Sequence, residues 1–301
     1  MKFEKIFGLF VIIIFMLLPG ATSKAYEDTI CRSFSEKEID FIKTSQNPKL
    51  LTGAGLIEQY NSVGKEFLEL ASRIESPKGL GTFSLIHLEI GESPQKPSTR
   101  ENILKLLHDD EDNAQSYYLN AILQAETAGE KEAISQIKKG NAKLFKTYLK
   151  QRFEAVVDAA TSAKYNGIQA RRCAFDRSFV AHTYVKLRRL CLKLGQSNGQ
   201  EAKDACFRMG ENLEKGSLTL VEQMISRGIQ FDSAADTAIK KKLELKHTRN
   251  ASIECNADVP EDVVPEDVEL QFYEIFLKSG EPAAQEFMSN YMKQKTKNIV
   301  K

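Results

Sequence analysis

The chain is expected to fold as an all-α protein, an irregular array of stacked antiparallel helical hairpins. Three observations point there. Glycine (17) and proline (8) are scarce among 301 residues, so long stretches carry no strong backbone breaker. Apolar residues recur at three- and four-residue steps, the spacing of one helical face. The gaps between these stretches are short and glycine-bearing, and short joints make sequence neighbours antiparallel.

The first element is a leader. Lys2 and Lys5 form a basic start, Ile6 to Leu18 is an apolar run of 13 residues, and Pro19-Gly20 ends the run. Ser23 and Ala25 then place small residues ahead of Tyr26. This order is that of a secretory signal peptide over 1–25. The run falls short of the roughly 20 apolar residues that span a bilayer. Cleavage is therefore expected, leaving no stable membrane span and a secreted chain, periplasmic or extracellular.

Residues 26–97 read as an N-terminal helical segment with an irregular loop. Ser35 and Glu38 have capping-box spacing, and a helix is expected over about 54–75. Within 76–97, prolines and glycines surround "TFSLIHLEI", which the pattern leaves open between strand, helical turn and packed loop. Residues 98–247 are expected to form the hairpin array. Ser98 and Glu101 mark its first cap. Its clearest stripe lies in 141–165, where Leu144, Tyr148, Leu149, Phe153, Val156, Val157 and Ala160 share one face that demands burial. Further helices are expected near 168–194, 200–214, 219–228 (capped by Thr219 and Glu222) and 232–247. The polar segment 248–265 reads as a linker. Residues 266–301 read as a C-terminal helical hairpin, with Pro282 suited to a first helical turn.

Within the array, "NAQSYYLNAILQAETAGEKEAISQIKKGNA" (113–142) sets Ala121 and Ala133 twelve residues apart. Tyr117 stands one turn earlier, Ile137 near the end of the second helix and Gly140 after it. This stretch resembles one degenerate tetratricopeptide repeat. It departs from that pattern at Asn120 and Gln124, and the closing proline is missing. The resemblance implies a tetratricopeptide-like α-solenoid and a surface for protein–protein interaction.

The 42 basic and 41 acidic side chains nearly cancel, giving no electrostatic footprint for nucleic acid. No nucleotide-binding glycine loop or nucleophile elbow is present. The four histidines and five cysteines fall in no metal-ligand spacing, and the acidic run Asp109–Asp112 lacks the glycine of a calcium loop. No metal, cofactor or catalytic residue is therefore assigned. Arg171, Arg172 and Arg177 form the candidate anion-binding cluster. Cys191 and Cys206 lie on opposite arms of an expected hairpin and are the candidate disulfide, with Cys31–Cys255 as a second pairing and Cys173 expected to be buried and inert. The function expected is an exported protein-binding or scaffolding protein of the cell envelope, without intrinsic catalysis and with an unidentified protein partner. The alternative is an envelope hydrolase acting on glycan or peptide through paired carboxylates.

Overall fold

The computed structural model describes residues 31–74, 79–90, 94, 96–179, 181–254 and 264–299. The expected leader, residues 1–25, and Cys255 lie outside them. The described residues are helical, in chain order α1 (Glu36–Ser45), α2 (Pro48–Ile57), α3 (Ser62–Ile74), α4 (Leu80–Ile90), α5 (Pro97–Asp109), α6 (Ala114–Thr127), α7 (Glu130–Asn141) and α8 (Leu149–Ser162). There follow α9 (Gly167–Arg177), α10 (Ala181–Ser197), α11 (Gly199–Gly216), α12 (Leu220–Ser233), α13 (Thr237–Glu254), α14 (Glu266–Ser279) and α15 (Glu281–Ile299).

Sequence neighbours pack as hairpins, including α2 on α3, α6 on α7, α11 on α12 and α14 on α15. Other contacts tie distant parts of the chain together: α2 lies on α8, α4 on α10, and α9 on α14. Two hydrophobic cores result. The first is built from α4–α7 and α10–α12 around Phe83, Ile103, Tyr118, Ile137, Tyr184 and Leu213. The second gathers the N-terminal segment with α1–α3, α8, α9, α14 and α15 around Phe67, Phe153, Val156, Cys173 and Phe276.

The segment left open by the pattern is a helix. Residues 80–90 form α4, in which Phe83, Leu85, Ile86 and Ile90 are all buried. A helix covered on every side has no polar face, so its sequence shows no amphipathic period. Likewise α2 buries Leu51 through Ile57 without a break. It starts at Asn47, whose side chain accepts from the Lys49 and Leu50 amides (3.0 and 3.3 Å).

Several expected boundaries move. The helix over 54–75 is two, because Glu58 turns inward to accept the Phe34 amide (2.6 Å) while Asn61 accepts the Gly64 amide (3.0 Å). The stripe in 141–165 becomes helical only at Leu149. Before it, Asn113 pairs with the chain: Leu144 O accepts the Ala114 amide (3.0 Å), and Asn113 exchanges bonds with Lys146 at 3.0 and 3.1 Å. Leu144 consequently faces solvent, 73% exposed. The helix over 168–194 is also two, with Phe179 packed against Phe175 and Phe276. The capping boxes at Ser35/Glu38 and Thr219/Glu222 are formed, whereas α5 begins after Lys96 with Pro97 in its first turn, not at Ser98. Helix α13 runs through Glu254 into the expected linker.

Two disulfides staple the fold. Cys191 of α10 and Cys206 of α11 are joined across their hairpin, with Cα atoms 5.7 Å apart. Cys31 pairs with Cys173 of α9, which corrects both the Cys31–Cys255 pairing and the inert Cys173. The correction has a local cause. The N-terminal segment lies against the α8–α9 turn, where Arg32 donates to Ala163 O (2.8 Å) and Tyr165 donates to Arg32 O (2.9 Å).

Candidate functional site

Two places combine charge with concealment. The first is a surface recess of about 490 Å³ between α3, α4 and α5, lined by Glu69, Arg73, Leu85, Glu89, Glu101 and Lys105 among others. Helices α3 and α5 contribute polar side chains, and α4 contributes buried Leu85 and Glu89. That residue is 2% exposed. One carboxylate oxygen meets Lys65 Nζ at 2.7 Å and the other accepts from the Thr99 hydroxyl at 3.0 Å. Lys105 reaches across to donate to Ser72 O (2.5 Å) and Thr82 Oγ1 (3.3 Å). The recess therefore offers both signs of charge around a buried carboxylate that is itself paired.

The second place is interior, at the seam between the cores. Arg152 of α8 is 1% exposed and points toward the first core, its guanidinium carbon 5.9 Å from the Phe83 ring centroid. None of its three side-chain nitrogens has a hydrogen-bond partner among the described residues, while the Tyr184 hydroxyl faces Glu222 and Thr147. Glu222 directs Oε2 to the Leu218 and Thr219 amides (3.3 Å each) as part of the α12 cap. Burial pushes the Glu222 carboxyl up to about 7 and brings Arg152 down to about 9. Tyr184 is raised well above the ordinary phenol value, first by burial and then by the charge of Glu222.

A histidine pair connects this seam with the surface. Half-buried His87 of α4 shares a hydrogen bond with Thr183 (Nδ1 to Oγ1, 2.6 Å). Its ring centroid lies 6.2 Å from that of exposed His182. Desolvation, and after it the charges of Arg152 and His182, hold His87 well below the usual imidazole range. Uncharged His87 can donate or accept a proton on either ring nitrogen. The seam thus holds one cation, one carboxyl poised near neutrality, one phenol and one neutral imidazole.

The three arginines singled out in the sequence do not act together. Arg172 forks onto Glu269 of α14 (2.8 Å for each bond). Arg177 is buried, with its guanidinium over Tyr60 (4.8 Å) and Nε 3.2 Å from Asp176. Arg171 returns to Gly167 O of its own helix (2.9 Å). Each makes its contact with a different part of the chain. The acidic run is structural as well: Asp110 accepts from Asn113 (2.9 Å) and from the Tyr148 hydroxyl, and Asp112 pairs with Lys143 (3.3 Å). Among the described residues no cluster of three or more histidine, cysteine or acidic side chains has metal-binding geometry.

Sequence reasoning missed the seam, although α8 carried a signal. Leu149, Arg152, Phe153 and Val156 have the three- and four-residue spacing of one buried face, and an arginine on such a face needs a partner. Glu222 was hidden by its capping role. No family model matches this chain, and no curated protein or solved structure matches it.

Proposed function

We propose that the protein is an exported binding or scaffolding component of the cell envelope, in the periplasm or outside the cell, with no catalysis of its own. The two disulfides support an oxidising compartment, in line with the basic-apolar-small order of residues 1–25. No described helix is long and apolar enough to cross a membrane. The observation that carries a binding role is the recess between α3, α4 and α5. Its mixed charges suit a polypeptide partner bearing charges of both signs, since complementary charge gives register and selectivity.

The test is capture from envelope extract with the native protein and with a double charge reversal, Arg73→Glu with Glu101→Lys. Both side chains line the recess, and exposed substitutions of this kind change stability little. A partner held by the native protein and lost by the reversal is the expected result. Undiminished capture by the reversal refutes the assignment of this surface.

One observation favours the second reading, a glycan or peptide hydrolase. Three helices bring Glu69, Glu89 and Glu101 to the same opening, and glycoside hydrolysis uses two carboxyl groups flanking the scissile bond. Turnover of a glycan or peptide substrate that Glu101→Gln abolishes would establish it. Turnover unchanged by that substitution would exclude Glu101 from the chemistry.

A further inference from the structure

The seam between the cores stands apart from the surface recess and does not depend on it. Guanidinium groups carry five N–H donors in a planar fork and remain charged at neutral pH. Burying such a group without acceptors is strongly unfavourable. The fold nevertheless places Arg152 there with Nε, Nη1 and Nη2 lacking a hydrogen-bond partner among the described residues. By contrast Arg32, Arg171 and Arg172 each donate to a named oxygen, and Arg177 lies 3.2 Å from an Asp176 carboxylate oxygen. The surroundings are equally specific. Phe83 and Tyr148 stack with centroids 4.6 Å apart, Phe145 meets Tyr184 edge-on at 6.2 Å, and the Tyr184 hydroxyl, which also faces Glu222 and Thr147, supplies a further donor.

We propose that this seam binds a small carboxylate-bearing molecule, its carboxylate forked onto Arg152 and receiving the Tyr184 hydroxyl. The planar fork favours carboxylate over spherical anions because two parallel N–H···O bonds form at once. The aromatic walls contributed by Phe83, Phe145 and Tyr148 suit a short apolar remainder.

Acetate serves as the probe, with inorganic phosphate and chloride for comparison, all at constant ionic strength and pH 6. The melting temperature of the purified protein is followed against concentration, since a ligand selective for the folded state raises it by mass action. Acetate is expected to raise it above chloride. Arg152→Met should abolish the difference while retaining the helical circular dichroism signal, and Tyr184→Phe should weaken acetate binding roughly fivefold, one ordinary hydrogen bond. Equal responses in native protein and Arg152→Met overturn the proposal, as does the lack of any acetate response up to about 100 mM, a range that reaches weak affinities. An Arg152-dependent response to phosphate in place of acetate overturns the ligand class. Should Arg152→Met fail to fold, the His87 ring signals of the native protein decide by magnetic resonance. Acetate that neutralises Arg152 must raise the His87 titration midpoint, and an unmoved midpoint overturns the proposal.

Discussion

Replacing Gly53 by alanine tests the central helix crossing. A Cβ at Gly53 of α2 would stand 1.9 Å from Ala155 O on α8, 2.4 Å from the Ala155 carbonyl carbon and 2.9 Å from the Val156 amide nitrogen. Ordinary contact begins near 3.4 Å, so the two backbones must separate by about 1.5 Å, starting from a native packing density that tolerates little. A flexible side chain could yield, but these neighbours are backbone. Nor can α2 retreat, because α1, α3, α4 and α9 also pack on it. Overpacking of this kind costs about 1–3 kcal/mol and sometimes more, against a helix-propensity gain of up to about 1 kcal/mol for alanine over glycine. We expect a net loss of about 2 kcal/mol or more, read from urea unfolding followed by circular dichroism. Gly195→Ala supplies the internal control. There the nearest neighbour is the flexible Lys203 side chain at 3.4 Å, so the propensity gain should appear as a small stabilisation. If Gly53→Ala proves as harmless as Gly195→Ala, the close α2–α8 crossing is wrong.

Three further outcomes follow from the geometry. Glu222, raised to about 7 when folded, holds its proton after the unfolded chain has lost it. Its stabilising contribution is complete below about pH 4 and is lost as pH rises through 7, a change of about 3 kcal/mol for a shift of this size. Glu222→Gln keeps the cap, since glutamine serves in a capping box; it should match the native protein near pH 4 and exceed it near pH 8 in urea midpoint. Removing the Cys31–Cys173 bond, which spans 142 residues, should destabilise by about 5 kcal/mol, against about 3 kcal/mol for Cys191–Cys206, which spans 15. Paired cysteine-to-alanine variants and denaturant melts give the order, and a larger loss for the short loop would contradict the loop-closure account. Finally, a double-mutant cycle on Arg172 and Glu269 should give a coupling of about 1 kcal/mol or less, weakened by salt, as for partly exposed pairs.

The helices of the chain were legible wherever one face is buried and the other wet. Leu149, Phe153, Val156 and Ala160 mark α8 because Lys150, Glu154 and Asp158 lie off their stripe. The pattern failed for α4, where burial on every side erases the alternation that periodicity reads. The Cys191–Cys206 bond follows from local hairpin geometry, two arms meeting across a single turn. Cys31 and Cys173 meet only because the N-terminal segment rests on α8 and α9, a contact between segments far apart in sequence. The same limit applies to the seam. Arg152, Tyr184, Glu222 and His87 come from four helices, and nothing in the spacing of any one of them names the other three.

The two cores also differ in how much of the chain each must wait for. Every buried member of the first lies between Phe83 and Ile229, so a single uninterrupted stretch can complete it. The second draws on Cys31 and Phe34 at one end and on Phe272, Phe276 and Ala284 at the other. During synthesis from the N terminus, Phe153 and Phe175 therefore remain without their full cover until Phe276 emerges. For a chain delivered end-first, the faces of α8 and α9 that await α14 are the ones most in need of shielding along the way.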